Sequence, residues 1–182
     1  MAFKGKYPVR TKIVIEGKIL EQIKHFKYLG CYVSYEKEID LDEKLNRFRS
    51  ICGTIHRNLK NKTRKETRVK FFNTVAIPVL MYGNEIRVMS EKDKSRIQAA
   101  EMKFMRSTLG FTILDKKRNT DIRQELKVEP LLDTLRRNRQ RWCEHLERMP
   151  NTRLPAIARD YRAAGRRDVG RPRAKWAPEQ VH

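Results

Sequence analysis

The feature that most constrains this chain is a run of apolar residues whose spacing alternates between four and three. Leu41, Leu45, Phe48, Cys52, Ile55 and Leu59 follow one another at those intervals. That spacing draws a single apolar stripe along an α-helix over about 41–60. A strand would instead place apolar residues at every second position. Arg47, Arg49, Arg57 and Lys60 lie off the stripe, and Asp40 stands where an N-cap is expected.

More helices follow. Thr63-x-x-Glu66 reads as a capping box that starts a second helix, with Val69, Phe72, Val75, Ala76 and Val79 on its inner face. Pro78 removes a backbone donor and is expected to kink it, and Tyr82-Gly83 ends it. A third helix opens at Ser90 with a similar Ser90-x-x-Asp93 box. It turns Ile97, Ala100, Phe104, Met105 and Leu109 inward and stops at Gly110. A basic loop over 111–119 leads to a short helix near 120–126. Pro130 then opens a longer helix that Pro150 closes, with Leu131, Leu135, Trp142, Leu146 and Met149 as its apolar positions. A brief helix is expected over 154–161.

Ahead of the helices the pattern changes. Ile13-Val14-Ile15 is a β-branched run, Glu16-Gly17 a turn, and Ile19, Ile23, Phe26, Tyr28 and Val33 are strand formers. A β-hairpin over 11–34 follows from this. Gly30 lacks a Cβ, so another backbone, a nucleic-acid strand among them, has room to approach it. Residues 1–10 are polar and expected to fray. From residue 162 onward Gly, Pro and Arg dominate, and little fixed structure is expected. The fold class is therefore mostly α: an N-terminal β-hairpin (1–35), a three-helix unit (36–110), a C-terminal helical region (111–161) and a basic, poorly ordered tail (162–182).

Charge points to the partner. The net charge is +20, and Lys and Arg exceed Asp and Glu by 13 to 7 over 1–60, 16 to 9 over 61–130 and 13 to 6 over 131–182. An excess spread along the whole chain suits a long groove for a polyanion, most simply nucleic acid, whose condensed counterions are released on binding. An anionic membrane surface fits less well, because the basic residues are not gathered on one amphipathic helix. Cys31, Cys52 and Cys143 have no regular spacing, which argues for a reducing compartment, nuclear or cytoplasmic. No apolar run approaches membrane-spanning length.

Five blocks of the sequence, in order, resemble the C-terminal part of non-LTR (LINE-type) retrotransposon reverse transcriptases. Phe26-Lys27-Tyr28-Leu29-Gly30 resembles the primer-grip segment. Pro78-Val79-Leu80-Met81-Tyr82-Gly83-Asn84-Glu85 resembles the family's Pro-x-Leu-Leu-Tyr-Gly-x-Glu block, and Leu109-Gly110 its Leu-Gly stop. Arg141-Trp142-x-x-His145-x-x-Arg148-Met149 resembles a later helix. Gly165-Arg166-Arg167-x-x-Gly170-Arg171-Pro172-x-x-x-Trp176 resembles the tail. Three positions depart from the pattern: Arg87 stands where the family has Trp, Glu144 where many members have Gly before the helix histidine, and Arg10, in Arg10-Thr11-Lys12, where the end of the palm commonly reads Lys-Thr-Lys.

The resemblance implies a thumb-like helical domain that holds the template–primer duplex, RNA–DNA or DNA, through its backbone. The Mg²⁺-binding aspartates of such polymerases lie in a palm upstream of the primer grip. Ahead of Phe26 this chain offers only Glu16 and Glu21. The expectation is a fragment of an RNA-directed DNA polymerase with no polymerase active site, no catalytic residues and no cofactor of its own. Asp40-x-Asp42 is read as capping and solvated rather than as a metal pair. Cys52…His56 and Cys143-x-His145 lack the second pair a zinc site needs. Residues i and i+2 of a helix face apart, so Cys143 and His145 do not form a nucleophile–base pair.

What remains is binding chemistry. Lys27 is expected on phosphate, Tyr28 as a stacking or packing ring, and Gly30 as the point of close approach. Arg166, Arg167, Arg171, Arg173 and Lys175 form a cationic segment with Trp176 as a stacking platform. Two other readings stay open: a transposon-derived helical DNA-binding module with some sequence preference, and a translated remnant with no function.

Overall fold

The computed structural model describes residues 2–3, 12–34 and 39–161. The basic tail, with Arg166, Arg167, Arg171, Arg173 and Lys175, lies outside the described residues, as do residues 4–11.

Three two-stranded ladders precede the helices. Strand β1 (Ala2–Phe3) pairs in parallel with β4 (Gln22–Ile23), so part of the expected frayed start is held in a ladder. Strands β2 (Val14–Ile15) and β3 (Lys18–Ile19) form one tight hairpin. Strands β5 (His25–Tyr28) and β6 (Cys31–Ser34) form another, with Tyr28 opposite Cys31. Both turns have positive φ at their two central residues: 51° and 75° at Glu16 and Gly17, 47° and 76° at Leu29 and Gly30. That geometry matches the right-handed twist of the strands it joins. The one hairpin expected over 11–34 is therefore two. The Leu-Gly of the primer-grip-like stretch is the turn of the second.

Helix α1 runs Ile39–Leu59 and buries Leu41, Leu45, Phe48, Cys52 and Ile55, as their spacing requires. Helix α2 (Lys65–Phe71) continues through a π-helical turn at Phe72–Ala76 into α3 (Ile77–Met81). In a regular α-helix the Pro78 ring would press on the carbonyl four residues back. The widened turn lies directly ahead of it and spreads that stretch of backbone. The turn also resets the inner face. Phe72, Ala76 and Leu80 are fully buried, whereas Val75, expected inward, is exposed.

The expected capping box at Thr63 does not form. Thr63 Oγ1 donates to Leu59 O at 3.0 Å and closes α1 instead, while α2 starts at Lys65 with Arg64 as an N-cap lacking a side-chain bond. The box at Ser90 does form. Asp93 N donates to Ser90 Oγ, Ser90 N donates to Asp93 Oδ2, and α4 runs Glu91–Leu109 to a left-handed Gly110 with φ 82°. Helices α5 (Asn119–Leu126), α6 (Leu131–Glu147) and α7 (Leu154–Asp160) follow.

Phe72 sits at the centre of the core, edge-on to Phe48 at 5.6 Å and stacked on Phe104 at 4.6 Å. The same core continues past residue 110 into Ile122, Leu126, Leu131 and Leu135. Buried Glu101 on α4 joins the parts. It accepts from Arg123 of α5 at 2.7 Å and from Leu131 N, the first amide of α6, at 3.0 Å. A carboxylate at a helix N-terminus satisfies an orphan donor and complements the helix dipole. The inner face of α6 is Leu131, Leu135, Arg139, Cys143 and Leu146. Steps of four carry Cys143 inward and leave Trp142, expected in the core, half-buried against His145. Among the described residues no helix is long and apolar enough to cross a membrane.

Candidate nucleic-acid interface

The β5–β6 hairpin stands on the helical body through one polar cluster. Asp40 was expected to cap α1 and face solvent. It lies inside the first turn instead, and its side chain is 15% exposed. Its Oδ1 accepts from Tyr32 N at 3.0 Å, and its Oδ2 accepts from Lys44 Nζ at 2.9 Å and from Arg87 Nη2 at 2.8 Å. Burial alone would raise the Asp40 carboxyl. Hydrogen bonds from Lys44, Tyr32 and Arg87, with the charge of Arg87, outweigh it and hold the carboxyl below the usual range.

Lys44 Nζ also donates to Tyr82 O at 2.9 Å and to Cys31 Sγ at 3.2 Å. The Tyr82 hydroxyl donates to Leu29 O in the hairpin turn. Residues 82–87 reach the other way too: Asn84 Nδ2 donates to Leu135 O at 2.7 Å, Asn138 Nδ2 to Glu85 Oε1 at 3.0 Å, and Arg139 to Arg87 O. The block that resembles the family's Tyr-Gly-x-Glu segment is thus the strut between hairpin, α1 and α6. Arg87, in place of Trp, supplies its ionic contact with Asp40. Asp42, expected solvated, pairs with Arg96.

The three described site residues fall on this hairpin. Lys27 is exposed, pairs with Glu43 at 3.3 Å and lies over the Tyr32 ring at 5.1 Å. Both partners of that ion pair are about half exposed, so it holds Lys27 weakly. Tyr28 is exposed and stacks on Phe26 with ring centroids 6.1 Å apart. Gly30 faces the Tyr82 ring, which lies 3.3 Å from where a Cβ would stand. The neighbour it accommodates in the fold is a side chain of the chain itself.

A more basic surface lies on α1, α2 and the segment between them, and the charge totals hid it by averaging. Residues 44–70 hold ten Lys or Arg and a single acid, Glu66. Two of the cations, Lys44 and Arg68, are buried, the latter donating to Thr108 O at 3.1 Å. Arg47, Arg49, Arg57, Lys60, Lys62, Arg64 and Lys70 are all exposed. Arg49 and Arg57 rest on Asn46 and Thr54 of their own helix. Among the described residues no carboxylate pairs with any of these seven. Lys65 pairs with Glu125 at the edge of the surface.

The outer face of α6 is different, since Arg136 pairs with Asp133 and Arg137 with Glu129. Arg47 and Arg57 are ten residues apart, about 15 Å along the helix axis. Duplex DNA carries a phosphate charge about every 1.7 Å of axis, so that length spans several, with Arg47 and Arg49 projecting from different sides of α1. The signal was present in the sequence as a run of 27 residues with one acid, but only the fold separates exposed from buried cations.

Cys52 and Cys143 are buried and free, and burial pushes the Cys52 thiol up to about 12 and the Cys143 thiol upward. Cys143 points inward while His145 is exposed, so the two do not meet. Among the described residues no group of three or more His, Cys, Asp or Glu could hold a metal ion.

The chain is similar to an uncharacterised transposon-derived protein of Caenorhabditis elegans, 23% identical over 166 residues that cover 86% of this chain and 59% of that protein. The chain thus spans less than two thirds of the relative's length. The likeness supports a transposon-derived origin. No protein-family model and no solved structure matches the chain.

Proposed function

We propose that this chain is the thumb-like part of a non-LTR retrotransposon reverse transcriptase and binds a nucleic-acid duplex through its phosphate backbone. The observation that carries the reading is the α1–α2 ridge: seven exposed cations without a carboxylate partner among the described residues. Phosphate contacts position a protein without reading sequence. The β5–β6 hairpin adds Lys27 and Tyr28, both exposed. The arginine-rich segment from Arg166 to Lys175 adds charge by sequence alone. The five family-like blocks support the parentage, and the transposon-derived relative supports a transposon origin.

On this reading the carboxylates that hold Mg²⁺ belong to a palm, and this chain binds without extending a primer. The test is binding to a primed RNA–DNA duplex, a random DNA duplex and the matching single strands, together with a primer-extension assay with Mg²⁺ or Mn²⁺. Duplexes should bind more tightly than single strands, with no base preference and no extension. Preference for one DNA sequence would favour a transposon-derived DNA-binding module instead. Template-directed extension would overturn the assignment.

A further inference from the structure

We propose that Cys31 and Lys44 form a peroxide-driven sulfur–nitrogen crosslink that fastens the β5–β6 hairpin to α1. The thiol does not stand alone: Cys31 Sγ lies 3.2 Å from Lys44 Nζ, within the separation at which two reacting atoms count as poised. Lys44 cannot swing away easily. Its side chain is 9% exposed, and Asp40 Oδ2 and Tyr82 O each hold the amine at 2.9 Å. Gly83 makes the approach possible, since a Cβ there would stand 2.6 Å from Cys31 Sγ and 3.3 Å from Lys44 Nζ. Cys31 is half-buried, whereas Cys52 and Cys143 are buried with thiols raised by that burial. Peroxide therefore reaches Cys31 first.

The chemistry balances with one oxidant. Hydrogen peroxide oxidises the Cys31 thiol: the O–O bond breaks, an S–O bond forms, and one water leaves, giving the sulfenic acid. Lys44 first passes one ammonium proton to Asp40 Oδ2, its partner at 2.9 Å, and the amine so freed attacks that sulfur. The S–N bond forms as S–O breaks, and the departing hydroxide takes the amine proton and leaves as a second water. The sulfur loses two electrons and the peroxide gains them. The product ties the first residue of β6 to α1, beside the hydrogen bond from Tyr32 N to Asp40 across the same junction and the one from the Tyr82 hydroxyl to Leu29 O in the hairpin turn.

The experiment treats the full reduced chain with stoichiometric hydrogen peroxide, digests it and reads the peptides by mass spectrometry, with and without the sulfenic-acid trap dimedone. The expected product is a joined Cys31–Lys44 peptide lighter by two hydrogens than its two parts, restored by dithiothreitol. Lys44→Arg keeps the charge beside Asp40 but should give no link, and there dimedone should label Cys31. A wild-type chain whose Cys31 is labelled as fully as in Lys44→Arg, with no joined peptide, would overturn the proposal. An untouched Cys31, or a joined peptide one oxygen heavier, would overturn it too. The wild-type arm needs no substitution, so misfolding of a variant cannot mask the answer.

Discussion

Replacing Asp40 with asparagine strands two cations. Lys44 and Arg87 have side chains that are each 9% exposed, and both direct a donor to the same Asp40 oxygen. Removing one partner of a buried ion pair costs about 3–5 kcal/mol. Lys44 keeps its bond to Tyr82 O, so the lower end, about 3 kcal/mol, is expected. At about 2–4 °C per kcal/mol for a chain of this size, the midpoint should fall by roughly 6–12 °C. Urea unfolding and thermal melting followed by circular dichroism measure the two. Arg87→Met alone should cost less, because Lys44 still neutralises Asp40. The double variant should recover about 1–3 kcal/mol relative to the sum of the singles. The pH dependence has a fixed sign. The folded Asp40 carboxyl is depressed below 3.8, so its contribution is full above that value and is lost as pH falls through the lower, folded one. The gap between wild type and Asp40→Asn should therefore narrow on acidification below about pH 4. A cost under about 0.5 kcal/mol at neutral pH, typical of a surface site, would refute the reasoning, as would additivity of the two substitutions.

Glu101→Leu should destabilise by about 3–5 kcal/mol, since Arg123 loses its partner and the first amide of α6 loses its acceptor. Adding Arg123→Leu should give back part of that loss in the same denaturation assay. Ending the chain after Ala164 should leave helical content unchanged while the salt dependence of duplex binding becomes shallower, by roughly 0.9 in logarithmic slope for each phosphate the shortened chain no longer neutralises.

The helices were legible where spacing or a local box decided them. The stripe from Leu41 to Ile55 and the Ser90–Asp93 box depend on residues within one or two turns, and both are found in the fold. Thr63 misled because a threonine hydroxyl can close the preceding helix as readily as open the next. Trp142 misled because its size suggested burial, while steps of four from Leu131 lead to Cys143. The polar ties were hidden for another reason. Glu101 stands among the apolar positions of α4, which marks it as unusual, but Arg123 is 22 residues away and joins it only through the fold. Asp40 looked like a cap until α1 began one residue earlier and Arg87, 47 residues on, returned to it. The primer-grip-like stretch falls on β5 and its turn, because the aromatic residues Phe26 and Tyr28 followed by Leu29-Gly30 decide a hairpin locally. Arg47 and Arg57 were legible as lying off the α1 stripe, but the inward turn of Arg68 and the lack of carboxylate partners among the described residues needed the fold.

The ridge is best tested by the salt dependence of binding to a random-sequence DNA duplex, compared between wild type and a variant with Arg47, Arg57, Lys60 and Lys62 changed to glutamine. All four are exposed, so the variant should fold with the same helical content. Wild-type affinity should fall steeply with salt, and the variant's logarithmic slope should be shallower by up to about 0.9 for each phosphate left without its cation. If affinity and slope are the same in both proteins, the ridge does not face nucleic acid and the proposed interface is wrong.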